Sequence, residues 1–228
     1  MRDADRQEIR ALGLFRTMDG AVFADLMQAA YAQEFPARLE LARQGGRADF
    51  LHVLVAGSVE LFAEWNGRET TLAIVAPVRS FILAACTRDA PQLMSARTLE
   101  RSRLVLIPAV DLRAAIRRDP AFASDVIDEL ASGYRGMVRH AKATKLRSAR
   151  ERLAAFLLQQ SAQRQGIAGF VLPQEKRILA SYLGMTPESL SRSFRDLADK
   201  GVHLDGMRVT ITDFARLSAI AMPDPLID

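Results

Sequence analysis

The segment MTPESLSRSF places polar side chains at a spacing that could recognise a binding partner. Thr186 fits an N-cap and Pro187 the first helical position, so a helix is predicted to begin here. Each step along a helix rotates by about 100°, which puts Leu190, Phe194 and Leu197 on one apolar side. The other side carries groups that form hydrogen bonds and ion pairs: Glu188, Ser191, Arg192 and Arg195.

Two interpretations of this polar side are open. In the first, Glu188 favours the helix dipole and pairs with Arg192 on the surface, a contact worth about 0.3 kcal/mol. In the second, the helix is the reading element of a helix-turn-helix and its first turns enter the DNA major groove. Arg192 would then bind guanine O6 and N7, while Glu188 would accept from a base amino group. Ser189 or Arg195 would reach phosphates.

The neighbouring segments favour the second interpretation. LPQEKRILASYLG predicts a helix ended by Gly184, and TPESLSRSFRDLADKG a second helix ended by Gly201. VHLDGMRVTIT predicts a hairpin that turns at Asp205-Gly206, a common hairpin dipeptide. Helix, glycine turn, helix and β-wing make a winged helix-turn-helix. Its predicted DNA-binding residues are Thr186, Glu188, Ser189, Ser191, Arg192 and Arg195.

A longer helix is predicted upstream. Asp119-Pro120 marks a break, because the residue before proline avoids helical backbone, and the segment beyond it is periodic for about seven turns. A narrow stripe recurs at threes and fours, which suits a seam between two helices; the alternative is a long helix lying on its own domain. We therefore expect two copies of the chain to pair here. The predicted seam consists of Val126, Leu130, Gly133, Met137, His140 and Thr144.

The first half of the chain is rich in strand signals. FLHVLVAGSVELFAEW, TTLAIVAP and SRLVLIP are short apolar and aromatic runs between glycine-containing turns, which predicts a sandwich, barrel or roll. The fold class is therefore α+β. The predicted domains are a β-roll sensor at residues 1–119, a dimerisation helix at 120–147 and a winged helix-turn-helix at 148–228.

Composition limits the function classes. The 228 residues are 49% apolar and 25% charged, with a net charge of +4. The run Arg135–Arg152 is strongly basic, which indicates either a solvated helix face or contact with a polyanion. The single cysteine, Cys86, excludes an intramolecular disulfide and an all-cysteine iron–sulfur site. No transmembrane run, signal peptide, metal-spaced cluster or nucleophile motif is evident, so we expect a cytoplasmic protein that is not an enzyme.

Nearly the whole chain resembles the Crp/Fnr family of bacterial transcription regulators. RQGGRADFLHVLVAGSVELF is similar to the family's first β-roll strands, and ASYLGMTPESLSRSFRDLADKGV to its helix-turn-helix. The resemblance implies a cyclic-nucleotide-binding-like jelly roll, a homodimer, binding to double-stranded DNA and contact with RNA polymerase. The pattern formed by Glu188, Ser191 and Arg192 is that of the Fnr-type branch, which implies a TTGAT-like inverted repeat.

The effector pocket departs from the cyclic-nucleotide members. Where those carry a glycine-glutamate pair, this chain has Ile82 and Leu83, and where they carry an arginine it has Met94 before Ser95. A buried phosphate would lack a cationic partner, which argues against cyclic AMP. FILAA and LMSARTLE are similar to the nitric-oxide-responsive, denitrification-linked NnrR-like branch. The predicted effector pocket consists of Ile82, Leu83, Cys86, Met94 and Ser95.

The cofactor is left open. Neighbouring branches of the family sense gases through haem, and an apolar pocket would suit one. Cys86 could ligate iron or react with nitric oxide, although a lone buried cysteine usually only packs. His52 on a strand and His140 in the helix are expected to be packing residues rather than ligands, and His203 lies at the wing. The alternative function is a signalling module that binds cyclic nucleotides in an unconventional pose.

Overall fold

The computed structural model describes residues 3–228. Their internal contacts group them into two compact units, which divide between Tyr134 and Arg135. Among these residues, no helix combines the length and the apolar character that a membrane crossing requires.

The first unit contains two four-stranded antiparallel sheets. Its eight strands are β1 (Tyr31–Phe35), β2 (Glu40–Ala42), β3 (Phe50–Ala56), β4 (Val59–Trp65), β5 (Arg68–Val75), β6 (Arg79–Phe81), β7 (Ser95–Thr98) and β8 (Ser102–Pro108). One sheet has the order β1-β8-β3-β6 and the other β2-β7-β4-β5. Because sequence neighbours are distributed over both sheets, the chain crosses repeatedly from one sheet to the other, as in a jelly roll.

The two sheets enclose an apolar core between them. Side chains alternate across a strand, so Leu54 on β3 faces the other sheet while Val53 faces away from it. The buried residues between the sheets are Ala42, Leu54, Val59, Leu61, Val75, Phe81, Ala96, Leu104 and Leu106.

A layer of helices covers the outer face of the sheet that contains β3. Val53 packs there together with Phe15 and Phe122, whose rings stack with centroids 5.7 Å apart. The helices that contribute to this layer are α1 (Asp3–Ala11), α2 (Gly20–Ala29), α3 (Leu83–Arg88), α4 (Ala109–Arg118) and the start of α5 (Pro120–Leu146).

The long helix α5 begins where the sequence predicts. Asp119 Oδ1 accepts hydrogen bonds from the amides of Ala121, at 2.9 Å, and Phe122, at 3.1 Å, and Pro120 occupies the first helical position. Asp119 Oδ2 accepts a further bond from the Asp19 amide at 2.6 Å. These amide donors, led by that of Asp19, lower the pKa of the Asp119 carboxyl. The cap therefore also ties the start of α5 to the helical layer.

Gly57 allows the tight turn between β3 and β4. Its φ is +94°, and a Cβ atom there would lie 2.3 Å from Ser102 Oγ and 2.7 Å from Ser102 Cα. Both the backbone angle and the lack of space require glycine at this position.

The second unit is a helix-turn-helix with a small sheet. Its elements after α5 are α6 (Ala149–Ala162), β9 (Gly169–Val171), α7 (Lys176–Tyr182), α8 (Pro187–Ala198), β10 (Val202–Asp205), β11 (Arg208–Ile211) and α9 (Phe214–Ala221). The helix α6 starts with a capping box, in which Ser148 and Glu151 each accept from the other's amide. The hairpin of β10 and β11 is joined on its outer edge by β9, so the wing has three strands.

The α+β fold class and the order of β-roll, long helix and winged helix-turn-helix are confirmed. The third wing strand and α9 were not part of the prediction. The boundary between the compact units falls inside α5, within the segment 120–147. That this segment forms a separate dimerisation element stays a prediction.

Candidate nucleic-acid interface

The helix α8 starts from a side-chain cap. The Ser189 amide donates to Thr186 Oγ1 at 3.2 Å, and Pro187 follows the cap at the first helical position. The turn before the cap contains Gly184 with a φ of +64°, a left-handed angle that favours glycine. These local choices fix both the point where α8 begins and the direction in which its first turn faces.

The two sides of α8 differ sharply in burial. Leu190, Phe194 and Leu197 are at most 6% exposed and belong to the core of the second unit. The polar side is exposed along the first two and a half turns, through Glu188, Ser191, Arg192 and Arg195. The packed side therefore anchors the helix, and the polar side is available to a partner.

Hydrogen bonds organise the exposed side. Arg192 donates from a terminal guanidinium nitrogen to Ser189 Oγ at 3.1 Å, and the Ser191 hydroxyl donates to the Pro187 carbonyl at 2.9 Å. Ser189 and Ser191 thus satisfy local groups, while most of the guanidinium donors of Arg192 remain directed to solvent.

The Glu188 carboxylate is held in its ionised form. Its own backbone amide, then the Thr186 hydroxyl and the nearby Arg192 guanidinium, lower its pKa below the usual range. At neutral pH the surface therefore presents an acceptor, Glu188, beside a multiple donor, Arg192. That combination can match the donor and acceptor edges of base pairs in a major groove.

The turn before α8 packs on the end of α5. The rings of His140 and Tyr182 lie 5.3 Å apart, and a Cβ on Gly184 would lie 3.0 Å from Thr144 Cγ2. His140 and Thr144, which the sequence assigned to a seam between two chains, thus contact the helix-turn-helix of their own chain. Burial, and then the Arg152 charge, lower the pKa of His140, so its imidazole is neutral at pH 7.

The other residues of the predicted seam lie in different environments. Val126 is 4% exposed and packs in the core of the first unit, and the partly buried Leu130 packs against the same core. Met137 is 61% exposed, and the space around Gly133 is open. Every residue from 131 to 138 is exposed, on all sides of the helix. The large apolar residues exposed in and beside this stretch are Ile127, Tyr134, Met137 and Val138.

Comparison with known proteins agrees with this architecture. A model of the cyclic nucleotide-binding domain matches residues 32–119, and a model of the Crp-like helix-turn-helix domain matches residues 151–220. The cyclic AMP receptor protein of Thermus thermophilus is 29% identical over 189 residues, which cover 82% of this chain and 86% of the relative. The chain therefore has the two domains of a Crp/Fnr-type DNA-binding transcription regulator.

Solved structures of lower identity share the fold. FixK2 from Bradyrhizobium japonicum is 21% identical with a TM-score of 0.74, over 84% of this chain and 96% of that one. The c-di-GMP-responsive global regulator CLP of Xanthomonas campestris is 20% identical with a TM-score of 0.72, over 85% and 99%. The Crp/Fnr fold of this chain therefore does not by itself indicate which effector it binds.

The predicted effector residues are not brought together in this Crp/Fnr roll. Leu83 and Cys86 are buried in the helical layer, whereas Met94 packs against the core between the sheets. Ser95 lies on the other face of its strand, where its hydroxyl accepts from the Gln44 amide at 2.9 Å. Ile82 touches both cores and has a φ of +68°, a strained angle for a β-branched residue. Of these five residues, Ser95 alone lines the polar cleft described below.

Cys86 and His52 are held neutral by burial. Burial raises the pKa of the Cys86 thiol to about 11, so it is protonated at neutral pH and a poor nucleophile. Burial also lowers the pKa of His52 to about 4. The His52 ring stacks on Phe81 at 5.1 Å, and its Nδ1 atom is buried without a hydrogen-bond partner. His203 is exposed on β10. The described residues contain no cluster of three or more metal-ligating side chains.

The roll also contains a polar cleft that the sequence did not reveal. Its volume is about 630 Å³, and Arg97 lies on its wall. The Arg97 guanidinium contacts Glu60 at 2.7 Å and Glu69 at 3.0 Å, and lies 4.2 Å from the centroid of Phe62. Arg97 meets Glu60 because β7 pairs with β4, and the sequence does not show this pairing.

Proposed function

We propose that this chain is a homodimeric regulator that reads a TTGAT-like inverted repeat in the cytoplasm through the exposed face of α8. Glu188 and Arg192 would contact base edges, and Thr186, Ser189, Ser191 and Arg195 would position the helix on the phosphates or at the groove edge. The observation that carries this proposal is the ionised Glu188 beside Arg192, both exposed on a helix whose other side is fully packed.

The proposed pairing surface is the exposed stretch of α5. Three large apolar side chains in it are unpacked: Tyr134 is 72% exposed, Met137 61% and Val138 41%. A helix exposed on all sides lacks the tertiary packing that stabilises most helices, and a partner helix would supply it. We therefore assign the dimer seam to these residues instead of to Val126 and Leu130.

The test of DNA reading is selection from a random duplex library. The full-length protein is expected to enrich an inverted repeat whose half-sites lie about one DNA turn, ~34 Å, apart, and to sediment as a dimer. Met137→Glu should shift the protein toward monomers and weaken operator binding, while Lys145→Glu, an exposed site outside the apolar stretch, should remain dimeric. Failure to enrich any sequence would contradict the proposal.

For the signal we propose nitric oxide or a related nitrogen-oxide or redox cue, in denitrification-type gene control. The apolar core between the sheets supports a neutral ligand over an anionic one, because an anion buried there would lack a partner. The signal would shift the packing of α5 against its twin and so the spacing of the two α8 helices. Identical half-site spacing and DNA affinity with and without nitric oxide would contradict this mechanism.

Haem is the cofactor that would make such a sensor. Among the candidate ligands, His52 offers a buried nitrogen without a partner, whereas the protonated Cys86 does not fit. Bound haem would supply a gas-binding iron. Separately, the role of a transcription regulator implies contact with RNA polymerase. An absorption spectrum with added haem and nitric oxide tests this. We expect a Soret band that shifts with the gas and is lost in His52→Phe. Absence of a Soret band would contradict the proposal that the protein binds haem.

A second candidate is a cyclic-nucleotide-responsive module. The relative from Thermus thermophilus is a cyclic AMP receptor protein, and the matching domain model is one of cyclic nucleotide binding. Calorimetric titration with cyclic AMP and cyclic GMP decides between the two. Micromolar binding would replace the proposed signal but would leave the reading of DNA by α8 intact.

A further inference from the structure

One guanidinium group joins the end of α5 to the turn of the helix-turn-helix. Arg152, in the first turn of α6, donates from Nε to the Leu183 carbonyl at 2.7 Å and from a terminal nitrogen to the Gly184 carbonyl at 3.1 Å. Both carbonyls lie in the turn that immediately precedes Thr186, the cap of α8. The group therefore holds the backbone from which the reading helix starts.

The same side chain also binds one carbonyl in the last turn of α5 and one just after it. Its other terminal nitrogen donates to the Thr144 carbonyl at 3.1 Å and to the Arg147 carbonyl. Carbonyls at a helix C-terminus have no partner within the helix, and the helix dipole favours a cation there. Four acceptors from two separate segments thus converge on one side chain.

Nearly all the hydrogen-bonding capacity of Arg152 is used in this way. A guanidinium has five N–H donors, and four of them are engaged by the carbonyls of Thr144, Arg147, Leu183 and Gly184. The side chain is also half-buried. Arg152 is therefore poorly placed to act as one of the phosphate-binding cations of the basic run that contains it.

We propose that Arg152 is a positioning residue that locks the helix-turn-helix turn onto the last turn of α5 and so keeps Glu188 and Arg192 in register with DNA. The inference rests on the proposed reading of bases by α8. Two contacts support the lock: Thr144 against Gly184, and His140 against Tyr182.

A small movement of this turn has a large consequence for recognition. Glu188 follows the Thr186 cap by two residues, so the turn and the base-reading side chain move together. Hydrogen bonds to bases require donor–acceptor distances of about 2.7–3.2 Å, and a shift of about 1 Å at the turn breaks them. Phosphate contacts made by flexible side chains tolerate such a shift better. Loss of the lock should therefore reduce specific binding more than non-specific binding.

The test uses Arg152→Lys in the full-length protein. Lysine keeps the charge but replaces the planar fork with a single nitrogen that cannot reach both segments. Two probes are used: the duplex that the wild-type protein selects from a random library, and a scrambled duplex of the same length. We expect affinity for the selected duplex to fall about tenfold, while affinity for the scrambled duplex and the salt dependence of binding stay unchanged. The matched control is Arg150→Lys, an exposed position in the same helical turn, which should bind both duplexes as the wild type does.

Other outcomes separate this inference from the proposed function. If the wild-type protein selects no sequence, the proposed reading of DNA fails. If it selects a sequence that Arg152→Lys binds with wild-type affinity, the positioning role is overturned while the reading of DNA stands. Equal losses on both duplexes would make Arg152 a phosphate contact instead.

A second variant keeps the inference testable should Arg152→Lys fail to fold. Gly184→Ala pushes a methyl group towards Thr144 Cγ2 at a left-handed backbone angle, and so separates the same two segments from the other side. It should show the same selective loss on the selected duplex. Wild-type discrimination by Gly184→Ala would contradict the lock.

Discussion

Arg97 in the roll and Arg192 on α8 are the same residue type in opposite situations. Arg97 is enclosed by two glutamates and the face of a phenylalanine, and its side chain is 23% exposed. Arg192 donates one hydrogen bond to Ser189 and otherwise faces solvent. The charge of Arg97 stabilises its own unit, whereas the charge of Arg192 contributes little to folding and is available for recognition.

The roll and α8 also differ in the state of their ionisable groups. In the roll, burial keeps His52 and Cys86 neutral. A change of pH that charges either group therefore lowers the free energy of unfolding. On α8, Glu188 stays ionised at the surface, so salt acts on binding. Mutation of the roll should therefore be detected in unfolding experiments, and mutation of α8 in DNA-binding experiments.

The largest effect is expected from Arg97→Ala. It leaves the Glu60 carboxylate, whose side chain is 2% exposed, without its cationic partner. Breaking a buried pair from one side typically costs about 3–5 kcal/mol of unfolding free energy. Trp65 is the only tryptophan and lies on β4, so urea unfolding followed by its fluorescence reports on this unit. Arg192→Ala is the matched control and should unfold as the wild type does; a loss below about 1 kcal/mol in Arg97→Ala would contradict the structural role.

A pH-dependent loss of stability is expected from His52. The unfolded chain binds a proton near the ordinary pKa of 6.5, whereas the folded roll keeps the imidazole neutral until about pH 4. Lowering the pH through this window therefore favours unfolding, by about 3 kcal/mol in full. His52→Phe retains the stack on Phe81 but cannot take up the proton. The difference in unfolding free energy between variant and wild type should grow as the pH falls from 7 to 4; a constant difference would exclude His52 as the source.

The elements that the sequence predicted best are those decided by local structure. The two sides of α8 follow from helical rotation alone, and its start follows from Thr186 and Pro187. The seam on α5 stays a prediction that depends on more than local structure, because several neighbours compete to cover one helix. Val126 is covered by the roll and His140 by Tyr182, and no periodicity distinguishes these contacts from contacts with a second chain.

The predicted effector residues are separated for a related reason. Met94 lies in a bend before β7 and packs against the core between the sheets, whereas Ser95 on β7 accepts a hydrogen bond from the Gln44 amide. Cys86 lies on α3, which faces the helical layer and not the space between the sheets. Resemblance to the family points to this stretch of chain, but helix orientation and backbone geometry decide which of its side chains meet.

An intermediate effect, confined to DNA discrimination, is expected from Arg192→Ala. Loss of a two-bond contact to guanine should cost about 1–3 kcal/mol at one base position and leave the others nearly unchanged. Binding-site selection with the variant should show relaxed preference at that position in each half-site. Full retention of the wild-type preference would mean that Arg192 reads no base, and that the exposed side of α8 serves another purpose.

The smallest effect is expected from Arg195→Ala, because a phosphate contact carries no sequence information. Arg195 lies one turn beyond Ser191 on the exposed side, where the proposed docking would bring the helix to the DNA backbone. Its loss should weaken binding to all duplexes alike and lower the salt slope by about one, since one fewer counterion is released. Affinities measured across a range of salt for the selected and the scrambled duplex provide the test. A loss restricted to the selected duplex would move Arg195 from the phosphate-binding group to the base-reading group, and would extend the reading surface by a full helical turn.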